Sequence, residues 1–355
     1  MSIPVLEGIT DRTVTTGRLA TRVLFSGPED GAPVLFVHGN FSNATWWEET
    51  MLALPPGFRG IAPDLRGYGG ADPAAKIDAT RGMRDFVDDL LALMDHLGHE
   101  RFHVVGISLG GLVVWWMMAD APERLASITL AGPGSPFGFG GTRDAAGTPT
   151  TPDYAGSGGG LINPDLVQRL LEGDRDSLSD FSPRGIMRRL VWNGGVIPPR
   201  EDALVDSMFR VHIGPQGLPG DSEPSPNWPY VRPGKWGATN AMSPKYVGNL
   251  VERILAGQPK RHALWVYGGA DLAVSNTAAS DPGTWGPTGR LPGYPGPDAY
   301  PPQPMMDQIR KMLDDYAGAG GSYEEVAIEG AGHAPFVTHP EEFNRVLHAY
   351  LEKMS

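Results

Sequence analysis

An α/β architecture, a mostly parallel sheet covered by helices, is predicted by the order of apolar residues along the chain. Short apolar runs alternate with longer stretches of helical period, and a β-branched stretch with a central glycine precedes them all. The runs are Val34–Val37, Gly60–Ala62 ahead of Pro63, Phe102–Val105, Ser127–Leu130, Ala263–Tyr267 and Tyr323–Ile328. Between them Met83, Phe86, Val87, Leu90, Leu91, Met94 and Leu97 recur at three- and four-residue spacing, which lays one buried stripe along a helix. A second stripe, Phe343, Val346, Leu347, Tyr350 and Leu351, marks a C-terminal helix. The stretch from Thr13 to Phe25 turns at Gly17 and reads as an antiparallel pair at the sheet edge.

The alternation breaks twice. From Gly132 to Gly160 the chain is dense in Gly, Pro, Ser and Thr, turns helical at Asn163-Pro-Asp-Leu-Val-Gln-Arg-Leu-Leu, and returns to strand pattern only near His262. This predicts a core of residues 1–132 and 245–355 with a cap over residues 133–244. The second break, Ser275 to Pro304, is rich in Pro and Gly but carries Trp285, Tyr294 and Tyr300, so a packed lid is expected at about 275–304 rather than a linker. A length of 355 residues suits one large core with such insertions.

Composition narrows the function classes. With 41 acidic and 29 basic side chains the net charge is −12, which repels nucleic-acid phosphates and anionic lipid, so neither nucleic acid nor membrane is expected as a partner. No apolar run reaches the roughly 18 residues of a membrane span. The absence of cysteine excludes disulfides, thiolate catalysis and cysteine-ligated metal. His96 and His99 end a helix beside Glu100 and Arg101 and read as surface, so no metal site is expected. The start of the chain lacks the basic and apolar segments of an export signal, and the cytoplasm is the expected compartment. The oligomeric state stays open.

The chemistry concentrates at three positions. Gly106-Ile107-Ser108-Leu109-Gly110-Gly111 follows one strand and opens the helical run Leu112–Ala119, a strand-to-helix turn that lifts the Ser108 hydroxyl clear of the sheet. With 48 glycines in the chain the pattern alone is weak, and a serine capping a helix is the plain alternative. A serine needs a base, and His333, in Glu329-Gly-Ala-Gly-His, follows the last strand at the same sheet edge. Asp271 follows the strand Ala263–Tyr267 and is the carboxylate that would orient that imidazole. The chain order serine, aspartate, histidine, each after a different strand, distinguishes this set from a chance turn aspartate and loop histidine. An oxyanion requires two backbone N–H donors. Leu109 is the first, and Asn40, with Phe41 as second choice, is expected from Val37-His38-Gly39-Asn40-Phe41, although His38-Gly39 also fits a simple strand end.

These residues resemble the α/β-hydrolase superfamily, in particular its cap-bearing serine esterase-like branch. The likeness covers roughly residues 15–132 and 245–355, through His38-Gly39, Asp64-Leu-Arg-Gly-Tyr-Gly-Gly-Ala-Asp72, the Ser108 turn, Asp271 and Gly-Ala-Gly-His333. It implies an eight-stranded, mostly parallel sheet with an inserted, largely helical cap, and a structural role for Arg66 in the Asp64–Gly69 loop. The insert between Asp271 and His333 is longer than the family's usual one. The implied reaction is cleavage of a small-molecule carboxylic ester through an acyl-enzyme on Ser108, without a cofactor. Haloalkane dehalogenases and epoxide hydrolases resemble this core but use a carboxylate nucleophile, where this chain has Ser108. Lactone hydrolysis and C–C bond hydrolysis use the same triad and stay open, as does a small-molecule receptor with a slow triad. The aromatic and sulfur content of the cap, including Trp192, Met208, Phe209, Trp228, Tyr230, Trp236 and Met242, predicts a hydrophobic pocket for a medium-sized apolar or aromatic ester. From it Trp192, Met208, Trp228 and Trp236 are the expected substrate contacts.

Overall fold

The computed structural model describes residues 4–192 and 195–355. Eight strands form one sheet: β1 (Thr10–Thr15), β2 (Ala20–Ser26), β3 (Ala32–Val37), β4 (Phe58–Pro63), β5 (Phe102–Ser108), β6 (Leu125–Pro133), β7 (His262–Gly268) and β8 (Ser322–Ile328). Their spatial order is β1-β2-β4-β3-β5-β6-β7-β8. β2 pairs antiparallel with both β1 and β4, and every later neighbour runs parallel. The architecture is the α/β-hydrolase fold that the sequence predicts, with each predicted run inside a strand. Val34–Val37 lie fully buried on β3, and Phe102–Ile107 are buried along β5, because helices cover both faces of a parallel sheet.

The helices that matter for the site are α1 (Arg84–His96), α2 (Leu109–Asp120), α3 (Pro164–Glu172), α4 (Glu201–Met208), α5 (Leu250–Ala256), α6 (Met305–Gly318) and α7 (Pro340–Met354). In α1 the predicted stripe is buried at Phe86, Val87, Leu90 and Met94, while Leu91 only packs against the core. α2 is apolar on all sides, from Leu112 through Trp115, Trp116 and Met118, and all of these are buried. A helix of that kind must be enclosed, and α2 packs between the sheet strands β5 and β6 and the helix α5. Among the described residues no helix is long and apolar enough to cross a membrane.

Between β6 and β7 the chain leaves the sheet and builds short helices joined by irregular segments. α3 is followed by Pro183–Ile186, which runs on into a π-helical turn at Met187–Val191, and then by α4. Two small ladders, Ser222–Pro224 with Val231–Pro233 and Ile213–Gly214 with Leu218–Pro219, complete it. The Ser275–Pro304 segment is packed, as its aromatic residues suggest. Trp228 meets Tyr294 and Tyr300 edge-on at 5.1 and 4.7 Å between ring centroids, and the Tyr300 hydroxyl donates to the Ala155 carbonyl at 2.9 Å.

Candidate active site

The turn between β5 and α2 is strained. Ser108 sits at φ 55° and ψ −116°, a left-handed backbone that a residue with a side chain adopts at a cost of about 1–3 kcal/mol. Its glycine neighbours make the turn possible. A Cβ at Gly106 would lie 2.5 Å from the Gly110 carbonyl oxygen, and one at Gly110 would lie 2.2 Å from that of Val37. Both contacts are with backbone, so neither can give way. Among the described residues the Ser108 hydroxyl makes no hydrogen bond, and it faces a cavity of about 200 Å³. Leu109 begins α2, so its N–H has no intrahelical acceptor.

His333 lies on the loop after β8 and lines that same cavity. Its Nδ1 is 2.8 Å from Asp271 Oδ2, and both side chains are buried. Asp271 is fixed independently, since its Oδ1 accepts the N–H groups of Ala273 and Val274 at 2.7 and 2.9 Å. The second oxygen is thereby aimed at the imidazole. Gly132, near the end of β6, has a left-handed φ of 50°, and a Cβ there would lie 3.2 Å from the His333 carbonyl oxygen. The fold thus brings Asp271 and His333 into direct contact and sets Ser108 and His333 on one cavity wall.

The loop after β3 supplies the facing wall. His38 is buried, its Nδ1 lies 2.8 Å from the Gly39 carbonyl, and its Nε2 accepts the Leu65 N–H at 3.0 Å. That pattern needs the neutral ring with its proton on Nδ1. Asn40 Oδ1 accepts the Phe41 N–H at 3.0 Å and the Tyr68 hydroxyl at 2.8 Å. Phe41 is therefore not the oxyanion donor named as second choice, because its amide is already turned onto Asn40. The Asn40 amide has no acceptor among the described residues. Tyr68 is buried and holds the loop through its hydrogen bond to Asn40 and an edge-on contact with the His38 ring at 5.2 Å. Tyr68→Phe is expected to lower kcat about tenfold with KM nearly unchanged, since only oxyanion contacts that tighten in the transition state are disturbed. A parallel rise in KM would assign Tyr68 to substrate binding.

Burial lowers the pKa of His38 and of His103, whose Nδ1 lies 2.8 Å from Ser127 Oγ, to about 4 each. A depressed folded-state pKa makes the unfolded chain bind the proton first, so stability present above pH 6.5 is lost as the pH falls toward 4. Asp281 opposes this, because its burial raises the carboxyl to about 6 and acid relieves that penalty. The two histidines outweigh it, and the chain is expected to be about 2 kcal/mol less stable near pH 5 than near pH 7. A urea midpoint that stays constant or rises at pH 5 would contradict the two histidines' role.

Of the four cap residues expected to touch substrate, only Met208 lines the cavity. Trp192 is buried in the packed core, Trp228 is held between Tyr294 and Tyr300 with its Nε1 donating to Pro292, and the Trp236 backbone bridges to Asp78. Trp192 and Trp228 are packing residues, because a large ring buries more area at a packed seam than on a cavity wall, and Trp236 is half-buried. The lining comes from Phe41 and Trp46 of the core and from Ile186, Met187, Leu190 and Val191. The three- and four-residue spacing of those last four is a helical stripe visible in the sequence. Arg66 has the structural place expected of it, with Nε and Nη2 each 2.7 Å from the Asp89 carboxylate on α1.

Residues 32–156 match a family model described as the alpha/beta hydrolase fold. An uncharacterized carboxylesterase of Bacillus subtilis is 32% identical over 117 residues, 33% of this chain and 38% of its own length. Epoxide hydrolase A of Mycobacterium tuberculosis is 31% identical over 219 residues, 59% of this chain and 61% of its own. The matched stretches therefore fall short of two thirds of either relative. Among solved structures, a serine hydrolase of the polyaromatic-hydrocarbon-degrading bacterium Cycloclasticus zankles superposes with a TM-score of 0.61 at 15% identity, over 98% of this chain and 99% of that one. That likeness shows the fold.

Proposed function

We propose that this chain, a member of the α/β-hydrolase superfamily, is a serine hydrolase that cleaves a carboxylic ester of a medium-sized, apolar or aromatic substrate. The observation that carries the reading is the shared cavity, onto which a strained Ser108 and a His333 tethered to Asp271 both open. In the proposed mechanism Ser108 Oγ attacks the carbonyl carbon while His333 Nε2 takes its proton. Asp271 keeps the other ring proton on Nδ1 and stabilises the imidazolium. The N–H groups of Asn40 and Leu109 hold the oxyanion. His333 then protonates the departing alcohol, and water, deprotonated by the same imidazole, releases the acid and restores Ser108.

The cavity's apolar lining supports an apolar substrate, because desolvating such groups favours binding while a few polar atoms fix orientation. The name of the Bacillus subtilis relative agrees with ester cleavage. Epoxide opening, the activity named for the Mycobacterium tuberculosis relative, sits less well with a hydroxyl than with a carboxylate at position 108. The reading is tested by fluorophosphonate labelling of Ser108 together with turnover of short and medium p-nitrophenyl esters. An unlabelled Ser108 in folded protein, with no ester consumed, would refute it.

A further inference from the structure

A second cavity of about 340 Å³ adjoins the first. The two share Phe41, Leu161, Ile162, Ile186, Leu190 and Ser280, so these residues form a neck between an inner chamber at Ser108 and an outer one beneath the Ser275–Pro304 segment. The outer walls are apolar apart from Asn163, Ser280 and Arg189, and Arg189, on the π-helical turn, is the one charged residue that lines them.

Arg189 differs from its neighbours on the same insertion. Arg184 and Arg188 are both paired with Glu201, Arg169 with Asp174, Arg175 with Asp206 and Arg200 with Glu48. Arg189 has no carboxylate within 4.0 Å among the described residues. Its Nη2 donates to the Asp180 carbonyl at 2.9 Å, while its Nε is buried without a hydrogen-bond partner among the described residues. The one buried acid on the neighbouring lid segment, Asp281, is turned away to accept the N–H groups of Gly283 and Gln303 at 2.6 and 3.3 Å. A half-buried guanidinium whose buried Nε lacks a partner carries a desolvation cost at that atom that an anion would offset, and its fork of donors matches a carboxylate. The protein's net charge of −12 repels anions at long range, so the attraction has to come from contact.

The geometry points to an ester that bears a carboxylate at its far end: the scissile bond at Ser108, an apolar spacer through the Leu161–Leu190 neck, and the acid on Arg189. This inference rests on the serine-hydrolase reading and names its substrate class. The test compares esters with and without a terminal acid, on each side of the scissile bond. On the acyl side these are mono-p-nitrophenyl suberate and p-nitrophenyl octanoate. On the alcohol side they are 6-carboxyhexyl butyrate and heptyl butyrate. In one of the two pairs the wild type is expected to favour the acid by ~10- to 100-fold in kcat/KM, the worth of a charge-assisted hydrogen bond. Arg189→Gln should abolish that preference through KM and leave the uncharged ester's kcat/KM unchanged, an internal control for folding, while Arg189→Lys should keep part of it. No acid preference in either pair, or one that survives Arg189→Gln, would overturn the assignment. If none of the four esters is consumed while Ser108 still labels, the carboxylate assignment falls alone. If Ser108 also fails to label, the hydrolase reading falls with it.

Discussion

Ser108→Ala is expected to lower kcat on p-nitrophenyl butyrate by about 10⁴- to 10⁶-fold, the loss seen when a triad nucleophile is removed. Folding, read from the melting temperature, should be little affected, because the replacement deletes one oxygen that has no hydrogen-bond partner among the described residues and keeps the Cβ that Gly39 accommodates. It does not relax the turn, since alanine meets the same left-handed backbone at φ 55°. The residual rate should reflect the oxyanion donors and substrate binding, which the substitution leaves in place. Equal turnover by the two proteins would place the nucleophile elsewhere.

Asp271→Asn should cost about 10⁴-fold in kcat, nearly as much, for a different reason. Oδ1 has to stay an oxygen to accept the Ala273 and Val274 amides, so the new NH₂ takes the place of Oδ2 and faces His333 Nδ1. The ring must then accept at Nδ1 and carry its proton on Nε2, the atom that should receive the Ser108 proton. The variant should still fold and still bind uncharged ester with a similar KM. A loss smaller than tenfold would mean that His333 is oriented by something other than this carboxylate.

The centre of the sheet was legible in the sequence because strands buried on both faces leave largely apolar runs, while the edge strand β8 carries Glu324 and Glu325 within its run. The strand-end positions of Ser108, Asp271 and His333 follow from the same pattern, since a parallel sheet collects its C-terminal ends on one edge. The cavity walls were harder to foresee. Trp192, Trp228 and Trp236 carry the size and polarity of substrate contacts, yet composition cannot distinguish a ring packed at a seam from one facing a void. Phe41 shows another limit. Its position after Asn40 makes it a reasonable oxyanion donor, and only the turn of the Asn40 side chain, drawn by Tyr68 from 28 residues away, removes its amide from the cavity.

The covers over the two chambers are not independent. Gln303, at the end of the lid segment, donates to the Gly138 carbonyl and accepts the Gly140 N–H, at 3.0 and 2.7 Å. It also donates to Gln308 on α6, which in turn binds Ser135 and Thr142 at 2.6 and 2.9 Å. Both glutamines are fully buried, so water cannot replace a bond that breaks. The Phe139 wall of the inner chamber is therefore cross-tied to the end of the segment that covers the outer one, so a change in either is felt by the other.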